Sequence, residues 1–175
     1  MTDSEFRKSL QEFEGYETHM YLDSRGNVTI GVGIMFPTAA AAKSSGIKFT
    51  NRETGAAATS DEIEADFNTV KQKKPTKLNG DEAALKKELD ARLKTAEGDC
   101  KAFYRDYAKL PSSVQYALLD MAFNLGRGNL MKYKNFKAAL EKSDWKTAAK
   151  ESKRNGIQAS RNKAISDWIL AGDKG

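Results

Sequence analysis

The stretch that most constrains this chain runs from Leu10 to Phe36, where a helical pattern gives way to a strand, a turn and a second strand. Phe6, Leu10 and Phe13 recur at the spacing of one helical face, Ser4 is placed to cap its start, and Gly15 stands where a left-handed glycine ends a helix. Glu14 is therefore predicted to be the last acid of a short helix. The negative end of the helix dipole and apolar neighbours both disfavour a charge there, which suits a group that must donate a proton.

Tyr21-Leu22-Asp23, the turn-rich Ser24-Arg25-Gly26-Asn27 and the β-prone run Val28 to Gly33 read as a hairpin. Alternation along the second strand puts Val28, Ile30 and Val32 on one face and Thr29, Gly31 and Gly33 on the other. A nearly bare face carrying one hydroxyl is what a strand presents where a ligand approaches closely. Two carboxyls meet the needs of glycoside hydrolysis, one protonating the leaving oxygen while the other attacks the sugar or activates a water.

Glu14, Asp23 and Thr29, with Ile30-Gly31-Val32-Gly33 directly after, resemble the signature of the phage-type lysozymes of the T-even phages and their relatives. That resemblance implies an α+β, lysozyme-like fold with a small β-hairpin lobe, a larger helical lobe and an active-site cleft between them. It implies a muramidase that cuts the β-1,4 bond between N-acetylmuramic acid and N-acetylglucosamine in peptidoglycan with inversion. Glu14 would be the general acid, Asp23 the carboxylate acting on water, and Thr29 the group that helps to hold that water, with the two carboxyls roughly 6.5–9.5 Å apart. Where T-even members commonly carry a His after the T-x-G-x-G run, this chain has Ile34.

A second block resembles the same family near the other end. Met121-Ala122-Phe123-Asn124-Leu125-Gly126 is similar to a helix end whose polar residue, here Asn124, lines the saccharide cleft. Gln158-Ala159-Ser160-Arg161 resembles the family's loop that brings a Gln and an Arg near the cleft, one residue shorter here. Gly31, and with it Gly33, would belong to the cleft floor. The resemblance thus names Gly31, Asn124, Gln158 and Arg161 as substrate-binding residues.

Between these blocks the pattern is mostly helical. Pro37 to Lys43 reads as a short helix with proline at its first position, and Gly46 to Ala58 as loops or an extra hairpin around Ile47 and Phe49. Thr59-Ser60-Asp61-Glu62 opens a helix carrying Ile63, Phe67 and Val70 on one face, closed by Lys71 to Lys74 and Pro75. Gly80 to Tyr107 carries one apolar stripe, as one long helix or two joined ones. Val114 to Leu125 reads as the central buried helix of a bundle, stopped by Gly126 and Gly128, and the helix around Ala164 to Ile169 would close the core. At 175 residues a single domain is expected, with a β-rich lobe over about 14–59 and a helical lobe over about 60–175 joined by the N-terminal helix 3–13.

Composition narrows the function further. The single histidine, His19, reads as a partly exposed loop residue, and with the single cysteine, Cys100, it leaves no usual zinc ligand set, so neither metal nor cofactor is expected. Cys100 lies on an apolar stripe and reads as a core thiol. The polar, acidic opening Met1-Thr2-Asp3-Ser4-Glu5 is not a signal peptide, which predicts synthesis in the cytoplasm and action on the cell wall after release or delivery, as a phage endolysin, a tail-associated enzyme or a secreted effector. A net charge of +5 favours polyanions, and an anionic bacterial envelope fits as well as nucleic acid. The lysine-rich segment Lys71 to Lys77 reads as a solvated helix end rather than a nucleic-acid patch. The expected partner is the peptidoglycan glycan strand, met by a monomer without membrane insertion, with a delivery machine or an immunity protein as further partners. The rivals are a lytic transglycosylase and a non-catalytic cell-wall or nucleic-acid binding module.

Overall fold

A computed structural model describes residues 1–174, which form two compact units: residues 14–90, and residues 1–13 together with those from 91 onward. Helix α1 (Asp3–Glu14) begins the chain. Its cap is Thr2 rather than Ser4: the Thr2 hydroxyl accepts from the Glu5 N–H at 3.3 Å, and the Glu5 carboxylate accepts from the Thr2 N–H at 2.7 Å, a reciprocal capping box. The helix ends at Gly15, whose φ of +74° is open to glycine at no steric cost, so Glu14 is indeed its last residue.

The unit of residues 14–90 is built on an antiparallel sheet in the order β1 (Glu17–Leu22), β2 (Val28–Gly31), β3 (Ile34–Phe36). The expected strand from Val28 to Gly33 ends early, because positive φ at Gly31 and Gly33 turns the chain back into β3. His19 lies within β1, not in a loop. Helix α2 (Ala39–Lys43) takes Thr38 as its cap, leaving Pro37 outside it, because the Thr38 hydroxyl accepts from the Ala41 N–H.

Within the segment from Gly46 to Ala58, β4 (Phe49–Asn51) pairs with β5 (Leu78–Gly80), which follows helix α3 (Ser60–Lys71) in the chain. Thr59 and Glu62 form the capping box that starts α3. Ile63, Phe67 and Val70 of α3 pack with Met20, Val28 and Ile30 of the sheet in one apolar cluster. For that reason this unit runs on past residue 59, to Asp90. Beneath the cluster Gly80 leaves no room for a side chain, since a Cβ there would lie 2.7 Å from Ile30 Cδ1.

Helix α4 (Glu82–Phe103) is continuous, with Leu85, Leu89, Leu93, Ala96, Cys100 and Phe103 buried along one stripe. It stops before Tyr107, which lies in a separate 3-10 turn (Tyr107–Lys109). In the unit of 1–13 and 91 onward, helix α5 (Ser112–Leu130) fully buries Val114, Ala117, Leu118 and Met121. Gly126 breaks α5 with non-helical angles, yet the helix resumes after it rather than ending. Helices α6 (Lys134–Glu141), α7 (Trp145–Glu151) and α8 (Ala159–Leu170) complete this unit. Phe6 stacks on Tyr116 at 4.9 Å between ring centroids and meets Trp168 edge-on at 6.2 Å, which ties α1 to α5 and α8.

Cys100 is 0% exposed, and burial pushes its thiol up to about 12. Among the described residues no helix is long and apolar enough to cross a membrane.

Candidate active site

The tight turn between β1 and β2 determines the state of Asp23. Its backbone N–H donates to the Asn27 carbonyl at 2.9 Å and its own carbonyl accepts from the Gly26 N–H at 3.0 Å, so the loop is closed by main-chain bonds. The carboxylate is then turned inward over the loop. Oδ1 accepts from the Arg25 and Asn27 N–H groups, both at 2.8 Å, and Oδ2 accepts from Asn27 Nδ2 at 3.1 Å. The Asn27 backbone N–H, and after it the Asn27 amide, hold this carboxyl below the usual aspartate range, because each donor stabilises the ionised form. Asp23 is an anion fixed in direction.

Asn27 also reaches Thr29. The Thr29 hydroxyl donates to the Asn27 carbonyl at 3.3 Å, so one residue holds both the carboxylate and the hydroxyl. Thr29 does not lie on an open face as the alternation implied. It is 2% exposed, because β2 is the central strand, paired on both sides and buried along its whole length. Its cross-strand partner in β1 is Tyr21.

Tyr21 marks where the carboxyls gather. Burial pushes its phenol above the ordinary tyrosine value, and the negative field of Asp23, then of Glu17 and Glu14, pushes it the same way. It therefore keeps its proton throughout the working range, as a neutral donor among acids. Glu14, the last residue of α1, is half-buried, with Oε1 shielded from solvent. Asn27 joins Asp23 to Thr29, and the field of Glu14 reaches Tyr21; the sequence had marked Asn27 and Tyr21 only as turn and strand positions.

Gly31 has a packing role of its own. At φ +60° a Cβ there would meet Leu85 Cδ2 at 3.3 Å and Ile34 Cδ1 at 3.5 Å, so the strand lies directly against α4.

The other expected binding residues belong to the unit of 1–13 and 91 onward. Arg161 is not in a loop: Gln158 caps α8 and Arg161 lies inside that helix, 2% exposed. Its guanidinium makes a forked contact with Asp120, Nε at 3.1 Å from each oxygen and Nη2 at 2.9 Å from Oδ2. Gln158 donates from Nε2 to the Phe13 carbonyl at 2.9 Å, satisfying a backbone acceptor at the end of α1. Asn124 is exposed on α5 and accepts at Oδ1 from Arg154 Nη1 at 3.1 Å. Arg154 in turn reaches Asp120 Oδ1 with Nη2 at 2.8 Å. Asp120 and Arg154 carried no signal in the sequence, being a lone acid on an apolar helix and one of two adjacent bases between helices. Only the fold brings them together.

The sequence matches the family model described as phage lysozyme over residues 11–163. Among curated proteins it is 29% identical to the probable T4-type lysozyme 2 of Dictyostelium discoideum over 154 residues, covering 86% of this chain and 82% of that protein. It is 25% identical to the probable T4-type lysozyme 1 of the same organism over 151 residues, with the same coverage.

Proposed function

The chain belongs to the phage lysozyme family, and on that premise we propose that it is a muramidase-type glycoside hydrolase that cleaves the glycan strands of peptidoglycan at the β-1,4 bond following N-acetylmuramic acid. In this reading Glu14 gives its proton to the glycosidic oxygen as the bond breaks. Asp23 takes a proton from a water that attacks the anomeric carbon from the opposite face, so the configuration inverts. Thr29 directs its own proton to the Asn27 carbonyl, which leaves its oxygen lone pairs to accept the second hydrogen of that water. The two carboxyls end the cycle with Glu14 ionised and Asp23 protonated, and exchange with solvent resets both. Asn124, Gln158 and the Gly31 backbone are assigned to saccharide binding, while Arg161, buried and forked on Asp120, has no surface to offer a sugar.

The observation that carries this reading is the Asp23 carboxylate, held ionised by three donors beside a hydroxyl that shares its Asn27 anchor. Mass spectrometry of muropeptides released by the protein tests the reaction. Hydrolysis leaves a reducing-end sugar that has gained a water. Products lighter by that water carry an anhydro ring and would assign the protein to the transglycosylases, and an undigested wall would leave only a binding role.

Activity is expected to fall on the acid side of its pH profile as Asp23 takes up a proton. Since the Asn27 donors hold Asp23 low, the acid limb falls at lower pH than a free aspartate would set. Asn27→Ala removes the amide donor but keeps the backbone N–H, so the acid limb moves to higher pH. A limb that stays in place in kcat/KM profiles of the variant would take Asp23 out of the role of base.

A further inference from the structure

An asparagine amide presents an acceptor at one end and two donors at the other, and which end faces outward is set by whatever holds the opposite end. Asn124 lies on the last turn of α5 before Gly126, with its side chain exposed. Its Oδ1 is taken by Arg154 Nη1 at 3.1 Å. An arginine has donors only, so the amide cannot turn over without setting N–H against N–H.

Arg154 itself has little freedom. It is 2% exposed, its Nη2 is bound to Asp120 at 2.8 Å, and Asp120 is fully buried and forked by Arg161. Asn162 clamps its backbone from both sides, accepting from the Arg154 N–H at 3.0 Å and donating to the Arg154 carbonyl at 2.8 Å. The chain of bonds runs from a charge with no exposed surface to an amide at the surface.

We infer that Arg154 is a positioning residue that fixes the Asn124 amide with its N–H groups outward, so that the site selects an acceptor oxygen on the saccharide, either an acetamido carbonyl or a hydroxyl. This rests on the assignment of Asn124 to saccharide binding. Arg154 touches no substrate in this account and acts only through Asn124.

Asn124→Asp is the discriminating variant. It keeps an acceptor for Arg154, and strengthens that bond with a charge, but has no donor to turn outward. Kinetics on soluble glycan strands are expected to show kcat/KM reduced about tenfold in both Asn124→Asp and Asn124→Ala, the size of one lost hydrogen bond, with the change in KM rather than kcat. The Asp variant should melt no lower than wild type. Arg154→Lys is expected to raise KM in the same way and to add nothing in the Asn124→Ala background, because a single ammonium cannot serve both Asp120 and Asn124.

If Asn124→Ala loses activity while Asn124→Asp keeps it, the amide's direction is irrelevant and the inference is overturned although Asn124 still contacts the sugar. If Asn124→Ala has wild-type kinetics, the contact itself is absent, and the inference fails with the assignment on which it rests. Repeating the Asn124→Ala comparison on N-deacetylated strands separates the two acceptors: a penalty that vanishes identifies the acetamido carbonyl, and one that persists identifies a hydroxyl.

Discussion

Glu14→Gln is expected to lower kcat by about 10²–10⁴-fold, the range for removing a general acid, with substrate still bound. Gln has the shape of Glu and keeps a donor and an acceptor, but has no proton of useful acidity to give to a departing sugar oxygen. The residue ends α1, where Gly15 turns the chain away at φ +74°, so the substitution disturbs no helical hydrogen bond. Loss of turbidity in a peptidoglycan suspension, followed with wild type and variant at matched concentrations, measures the effect. A variant that clears the suspension within a few-fold of wild type would remove Glu14 from the chemistry. A wild type that clears nothing would remove the chemistry itself.

The second large effect concerns stability. Asp120 is 0% exposed and accepts from Arg154 and Arg161, both 2% exposed. Asp120→Ala takes away the carboxylate that the two guanidinium groups share, in a place where water cannot reach to replace it. Breaking a buried pair by removing one side costs about 3–5 kcal/mol, because the remaining charge stays desolvated. For a chain of this size that is a fall of roughly 6–20 °C in melting temperature. The cost arises from the stranded cations, so replacing all three residues with apolar side chains of similar volume should recover much of it. Calorimetry of the single and triple variants checks both statements. A single variant that melts within a degree or two of wild type would mean that the cluster is hydrated in solution.

What could be read from the sequence was whatever is encoded locally. The Thr59–Glu62 box announces α3 because both halves of the device lie within one turn, and Gly15 marks the end of α1 for the same reason. The carboxyls and hydroxyl at Glu14, Asp23 and Thr29 were legible as a spaced pattern. The dual attachment of Asn27 was not, because a turn-forming Asn looks the same whether it serves the turn or the acid beside it. Strands β4 and β5 were hidden by their brevity and by the whole of α3 lying between them. The Arg154–Asp120–Arg161 cluster joins positions 34 and 41 residues apart, beyond the reach of any periodicity. The open face expected of Thr29 failed because alternation tells which residues share a side, not whether a neighbouring strand or helix covers it.

The single thiol of this protein, Cys100, is hidden in α4 and holds its proton far into the alkaline range. A thiol reagent attacks only the ionised, accessible form, so labelling in native buffer must wait for an excursion that bares this part of the fold. The labelling rate thus counts those excursions directly. Any substitution that loosens the helices around Cys100 is expected to speed labelling in proportion, even where the melting curve barely moves.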